Sequence, residues 1–138
     1  MTIEKSILQA LQQKVIEAVA GSTVPTLPVK FVDVAFIVPN DQKWLELIFI
    51  PNNAADRMWG DEEVYRGILR LVLHWPNNGA GAYKPLELIS GILSAFNKDE
   101  RIGGLLQILN KPKLMTTVQS GSENWYPATI EYTVFSLA

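Results

Sequence analysis

The chain has 138 residues, 48% of them hydrophobic and 19% charged, which is enough apolar material for one well-packed domain and argues against disorder. Twelve Lys and Arg against fourteen Asp and Glu leave a formal charge of −2, so the basic excess usual in nucleic-acid binders is missing. The absence of cysteine excludes a disulfide framework, a thiolate nucleophile and any Cys-ligated metal.

Residues Thr2 to Ala20 read as a first helix. Ile3, Ile7, Leu11, Val15 and Val19 recur every four residues, and Gly21 supplies a stop. The stripe fits a core-packing helix; it also fits a face held for a partner subunit. Glu4, Gln9, Gln12 and Gln13 break the pattern of a signal peptide, and no apolar run approaches the ~20 residues of a membrane span, so a soluble, intracellular product is expected. Ser22 to Pro28 reads as a linker. Val29 to Val38 reads as a strand with apolar residues on both faces, and Lys43 to Ile50 as a second strand, the two forming an antiparallel hairpin about the Pro39-Asn40-Asp41 turn.

Pro51 to Glu63 has no sustained period and reads as a long loop. It carries Asp56, Arg57, Met58, Trp59 and Asp61, a tryptophan among charges, as at an interface anchor; the alternative is that Trp59 folds back onto the domain's own core.

The stretch from Val64 to Phe96 is the most ordered in pattern. Tyr65, Leu69, Leu71, Leu73 and Trp75 alternate onto one strand face, while Arg66, Ile68, Arg70, Val72 and His74 take the other. Pro76 ends the strand, Asn77 to Gly81 turn the chain, and Pro85 opens a helix whose Leu86, Ile89, Leu93 and Phe96 share a face. After a polar break, Leu105 to Leu109 fits a helical turn or a strand. Lys113 to Gln119 reads as a strand, Ser120-Gly121-Ser122 as a turn, and Trp125 to Leu137 as the last strand, with Tyr126, Ala128, Ile130, Tyr132 and Val134 on one face. Pro127 suggests an edge position or a bulge near its start. The sum is an α+β fold: a mostly antiparallel sheet with two main helices packed on one face, spanning residues 1–138 as a single domain.

No motif carries chemistry. His74 has no second histidine or carboxylate near it in sequence, so a metal or triad role lacks support and a solvent-facing or hydrogen-bonded strand histidine is expected. The glycines at Gly79 and Gly81 lack both the dinucleotide fingerprint and the P-loop ending. Asp61, Glu62 and Glu63 fit a solvated acidic loop better than a divalent-ion site. No G-x-S-x-G elbow is present.

Three stretches resemble the tail terminator (tail-completion, minor tail) family of long-tailed bacteriophages. They are Tyr65-Arg66-Gly67 leading into Ile68 to Trp75, the Pro76 to Gly81 turn before the helix ending in Phe96, and Trp125-Tyr126-Pro127 to Val134 after a Ser-Gly-Ser turn. The resemblance implies a structural virion protein, not an enzyme, without cofactor, catalytic residue or metal. It implies a homo-oligomeric ring, a hexamer, at the head-proximal end of the tail, assembled in the host cytoplasm and away from any membrane. Its partners would be further copies of itself, the major tail tube protein and a head-tail connector protein, with DNA passing through the lumen without specific binding. Residues Asp56, Arg57, Met58, Trp59 and Asp61 are the expected interface, by position alone. A head-closure or neck connector is the nearest alternative; an enzyme or small-ligand binder with a pocket under the 51–63 loop is the alternative of another class.

Overall fold

A computed structural model describes residues 3–57, 62–77, 81–97, 101–102 and 106–137. Helix α1 spans Ile3–Ala20 and α2 Tyr83–Leu93. The strands are β1 (Val29–Lys30), β2 (Trp44–Arg57), β3 (Glu62–Pro76), β4 (Arg101–Ile102), β5 (Leu106–Ile108), β6 (Lys113–Leu114), β7 (Val118–Ser120) and β8 (Glu123–Leu137). They form one sheet in the order β1-β2-β3-β8-β5-β4, with β6 and β7 also lying along β8. Every pair is antiparallel except β1 with β2. The expected α+β class, with helices on one face of a mostly antiparallel sheet, is what the chain adopts.

Alternation in the long strands sets the core. Leu45 and Leu47 of β2, Leu69, Leu71 and Leu73 of β3, and Tyr126, Ala128, Ile130, Tyr132 and Val134 of β8 are all buried in one cluster. Ile7, Leu11, Val15 and Val19 of α1, and Leu88, Ile89 and Ile92 of α2, close it from the helical side. The α1 stripe is therefore covered by the chain's own sheet rather than kept for a partner. Its end is fixed locally: Gly21 N–H donates to Glu17 O at 3.1 Å and Ser22 Oγ to Val19 O at 2.6 Å, satisfying last-turn carbonyls. Helix α2 starts two residues before Pro85, whose missing N–H falls among the first-turn donors that have no intrahelical partner. It stops at Leu93, yet Phe96 is still buried, because Ala95 N–H and Phe96 N–H bond back to Ile92 O and Leu93 O.

Two expectations on the strands need correction. The region from Val29 to Val38 is not a ten-residue strand in an antiparallel hairpin. Only Val29 and Lys30 pair, and they pair parallel to Leu45 and Glu46. Residues 31–43 leave the sheet, and Asp33 and Gln42 take positive φ to turn the chain so that both strands can run the same way. β-propensity in Phe31 to Val38 is overridden because no strand pairs with it among the described residues.

The second concerns the expected 51–63 loop, whose described residues 51–57 and 62–63 are strand. β2 runs on to Arg57 and β3 begins at Glu62. Prolines explain why the run looked broken. Leu45 N–H donates to Pro28 O, away from β3, so alternation aims Leu47, Phe49 and Pro51 outward as well. Beyond Glu46 that edge of β2 has no strand neighbour among the described residues, so Pro51 lacks its donor where none is needed. Pro127 follows the same rule. It is not on an edge, because β8 has strands on both sides, but its carbonyl accepts from Met115 N at 2.8 Å in the gap between β6 and β7. Its missing N–H faces that same gap. The Lys113 to Gln119 region is accordingly two short strands rather than one. Leu106–Ile108, left open between helix and strand, is a strand.

Gly67 has a packing role. It faces Tyr132 across the β3–β8 pair, and a Cβ there would collide with the Tyr132 hydroxyl and stand 2.9 Å from Ile50 O. Only glycine lets the buried ring lie over the strand.

Candidate assembly interface

Of the expected interface residues, Asp56 and Arg57 lie in the last turn-ward part of β2, opposite Val64 and Glu63. Met58, Trp59 and Asp61 lie outside the described residues. The two described members thus belong to a β-hairpin, not to a loop over a pocket. Between the Asn52–Arg66 and Asp56–Val64 pairs, three residues of β2 stand against the single Tyr65 of β3, an irregularity that bends and twists the hairpin. β8 accompanies it: Val64, Glu63 and Glu62 pair with Phe135, Ser136 and Leu137. On the flanks, β1 pairs only with Leu45 and Glu46, and β5 reaches no further than Thr133. The far end of the sheet is therefore a three-stranded ribbon with an open edge on either side, among the described residues. At ~3.3 Å per residue, β2 and β3 are each roughly 45–50 Å long.

The opposite end of the same sheet face holds the lone histidine. His74 is buried, with 4% of its surface exposed. Its Nε2 lies 3.0 Å from Glu46 Oε1 and its Nδ1 3.3 Å from Glu123 Oε1. The ring stacks on Trp44 at 3.7 Å, nearly parallel, and Trp125 meets it edge-on at 5.4 Å. Phe36, from the 31–43 segment, also packs against Trp44, with ring centroids 5.0 Å apart. Glu123 Oε1 also accepts from Trp125 Nε1 at 2.9 Å, and Lys30 Nζ lies 3.7 Å from Glu46 Oε2. The hydrogen-bonded reading of His74 holds and the solvent-facing one does not. Sequence reasoning missed both carboxylate partners, which are 28 and 49 residues away. Only the strand register brings them together, since Trp44 and Trp125 flank His74 in adjacent strands.

This arrangement ties four strands; it does not expose a reactive group. Each ring nitrogen faces a carboxylate, so neither is open to take a proton from a substrate or to bind a metal. The carboxylates approach opposite sides of the ring, and no three His, Asp or Glu side chains converge as metal ligands among the described residues. Two open grooves are lined mainly by apolar groups. One, of about 660 Å³, lies between α2 and β6 by Leu93, Phe96 and Leu114. The other, of about 480 Å³, lies at the foot of the ribbon by Ile50, Ile68, Arg66 and Glu131. No described helix is long and apolar enough to cross a membrane.

Comparison with known proteins agrees with this picture. No curated protein sequence matches the chain significantly. A solved structure that carries only a sequence label in place of a name superposes with a TM-score of 0.79 at 20% identity, over 97% of this chain and 96% of the other. A component of the virion of a native gene transfer agent particle superposes with a TM-score of 0.55 at 13% identity, over 91% and 95%. At these identities the likeness is one of fold. The sequence itself matches the family model described as phage tail terminator protein across residues 6–132, and the chain belongs to that family of structural phage tail proteins.

Proposed function

We propose that the protein caps the head-proximal end of the phage tail tube as a closed ring, stopping tube growth and offering a surface for head joining. The match to the tail terminator family over residues 6–132 carries this reading. The ring is homo-oligomeric, six-membered on the tail, and contacts the major tail tube protein on one side and a head-tail connector on the other. DNA crosses its lumen without specific contacts, consistent with a net charge of −2 rather than a basic excess. The protein works by assembly and not by catalysis.

The stretch from Asp56 to Asp61 serves as a docking element in this scheme. Asp56 and Arg57 end β2, and Met58, Trp59 and Asp61 follow them in sequence. A tryptophan carries on the order of 200 Å² of surface to bury, so Trp59 is the natural anchor on a neighbouring subunit or on the tube. The alternative of a pocket beneath a 51–63 loop loses its premise, because that segment is largely paired strand.

Electron microscopy of particles made without this protein tests the proposal. Overlong tubes lacking heads are expected, and restoring the protein should place density at the head-proximal tube end. Normal tails in its absence would overturn the reading; density on the head side alone would move it to the neck.

A further inference from the structure

Ten large hydrophobic residues are exposed among the described residues, and six of them sit in two short strips. Val34, Ile37 and Val38 belong to the 31–43 segment, with Ile37 92% exposed. Leu114, Met115 and Val118 belong to β6, β7 and the turn between them. The first strip leaves the sheet next to β1 and β2, and the second lies along the far side of β8. Strands β2, β3 and β8 stand between them.

The strips carry opposite charge. Residues 31–42 contain Asp33 and Asp41 and no basic residue; residues 109–122 contain Lys111 and Lys113 and no acidic one. All four charged residues are exposed, and none forms an ion pair among the described residues. The charges that flank the strips are already engaged. Lys30 lies by Glu46, Lys43 stands over the Trp75 ring, Glu131 accepts from Asn110, and Glu123 faces His74. An acidic apolar strip and a basic apolar strip on separated parts of one molecule cannot satisfy each other within that molecule.

We propose that the 31–42 strip of one copy docks on the 109–122 strip of the next copy, head to tail. The inference rests on the ring reading above and names the two surfaces that close it. A contact between two different patches propagates, and it closes into a ring when the rotation per copy permits. Apolar side chains supply the buried area while opposite charges fix register and exclude like-with-like pairing. Each strip is shorter than the 20–30 residues a side of a stable free complex, so the contact suits copies held on both sides in a closed ring.

Charge exchange tests this on the full chain. Asp33→Asn with Asp41→Lys makes the first strip basic; asparagine is chosen because residue 33 has a φ of 57°. Lys111→Glu with Lys113→Glu makes the second strip acidic. Each variant alone should lose assembly by roughly tenfold or more through like-charge contact, with its melting temperature little changed. Mixed in equal amounts, the two should assemble again by alternating. Equal assembly of either variant alone, or no recovery on mixing two folded variants, overturns the proposal.

A second measurement needs no tail. The chain has no cysteine, so Ile37→Cys with Met115→Cys introduces a unique pair. A short bis-maleimide on concentrated purified protein should give a ladder beyond dimer from the double variant and monomer from either single one. Dimers from Ile37→Cys alone mark a symmetric contact and overturn the proposal. A ladder from protein that never appears on tails upholds the contact and removes the capping function.

Discussion

The two faces of β3 show what one alternating strand can be made to do. Toward the helices, Leu69, Leu71 and Leu73 are fully buried in an apolar layer shared with β2 and β8. On the other face, Arg66 is exposed, Ile68 and Arg70 are half-buried, and Val72 and His74 are covered. The neighbouring Ile48 and Ile50 of β2 are exposed on that face too. The inner face is held by burial alone and tolerates no gap. The outer face is held at one end by a polar clip and left open toward the ribbon. Stability should be concentrated on the first face, and assembly at the open margins of the sheet.

Substitutions can break or sharpen that contrast. The largest loss is expected from Leu71→Ala, which removes a fully buried side chain at the sheet centre and should cost roughly 2–5 kcal/mol in denaturant unfolding. A cost near zero would mean that the helices do not close the layer. Gly67→Ala comes next. The added methyl meets Tyr132 and the Ile50 carbonyl, an overpacking expected to cost about 1–3 kcal/mol or somewhat more. Replacing Tyr132 by leucine in the same variant should recover part of the loss, because the clash is with the ring.

On the outer face, His74→Gln should cost about 1.5–3 kcal/mol by leaving at least one carboxylate contact unmade. Production of infectious particles should be nearly unchanged at temperatures where the variant stays folded. A collapse of infectivity with folding intact would give His74 a chemical role. The smallest effect on stability should come from Trp59→Ala, whose melting temperature is expected to match the parent while tubes become overlong and uncapped. A destabilisation of ~3–5 kcal/mol with normal capping would instead place Trp59 in the chain's own core.

Much of this fold was legible because period is a local property. The i, i+4 recurrence in Ile7, Leu11, Val15 and Val19, and the i, i+2 recurrence in β3 and β8, mark a buried side whatever lies across from it. The strand over 51–57 escapes the local pattern for a reason that is not local. Pro51 normally argues against a strand, but it is harmless on an edge, and nothing in the sequence says that β2 has an open edge.

By itself, then, the sequence determined which faces are buried, where α1 and α2 run, that β3 and β8 are long strands, and to which family the chain belongs. Pairing decided the remainder. It made β1 parallel to β2, broke Lys113 to Ser120 into two strands around the missing donor of Pro127, and set Glu46 and Glu123 on either side of His74. A strand's alternation names its inward side chains but not its neighbour or its register. Those are settled by contacts between segments tens of residues apart, where burial of the whole layer outweighs any local preference.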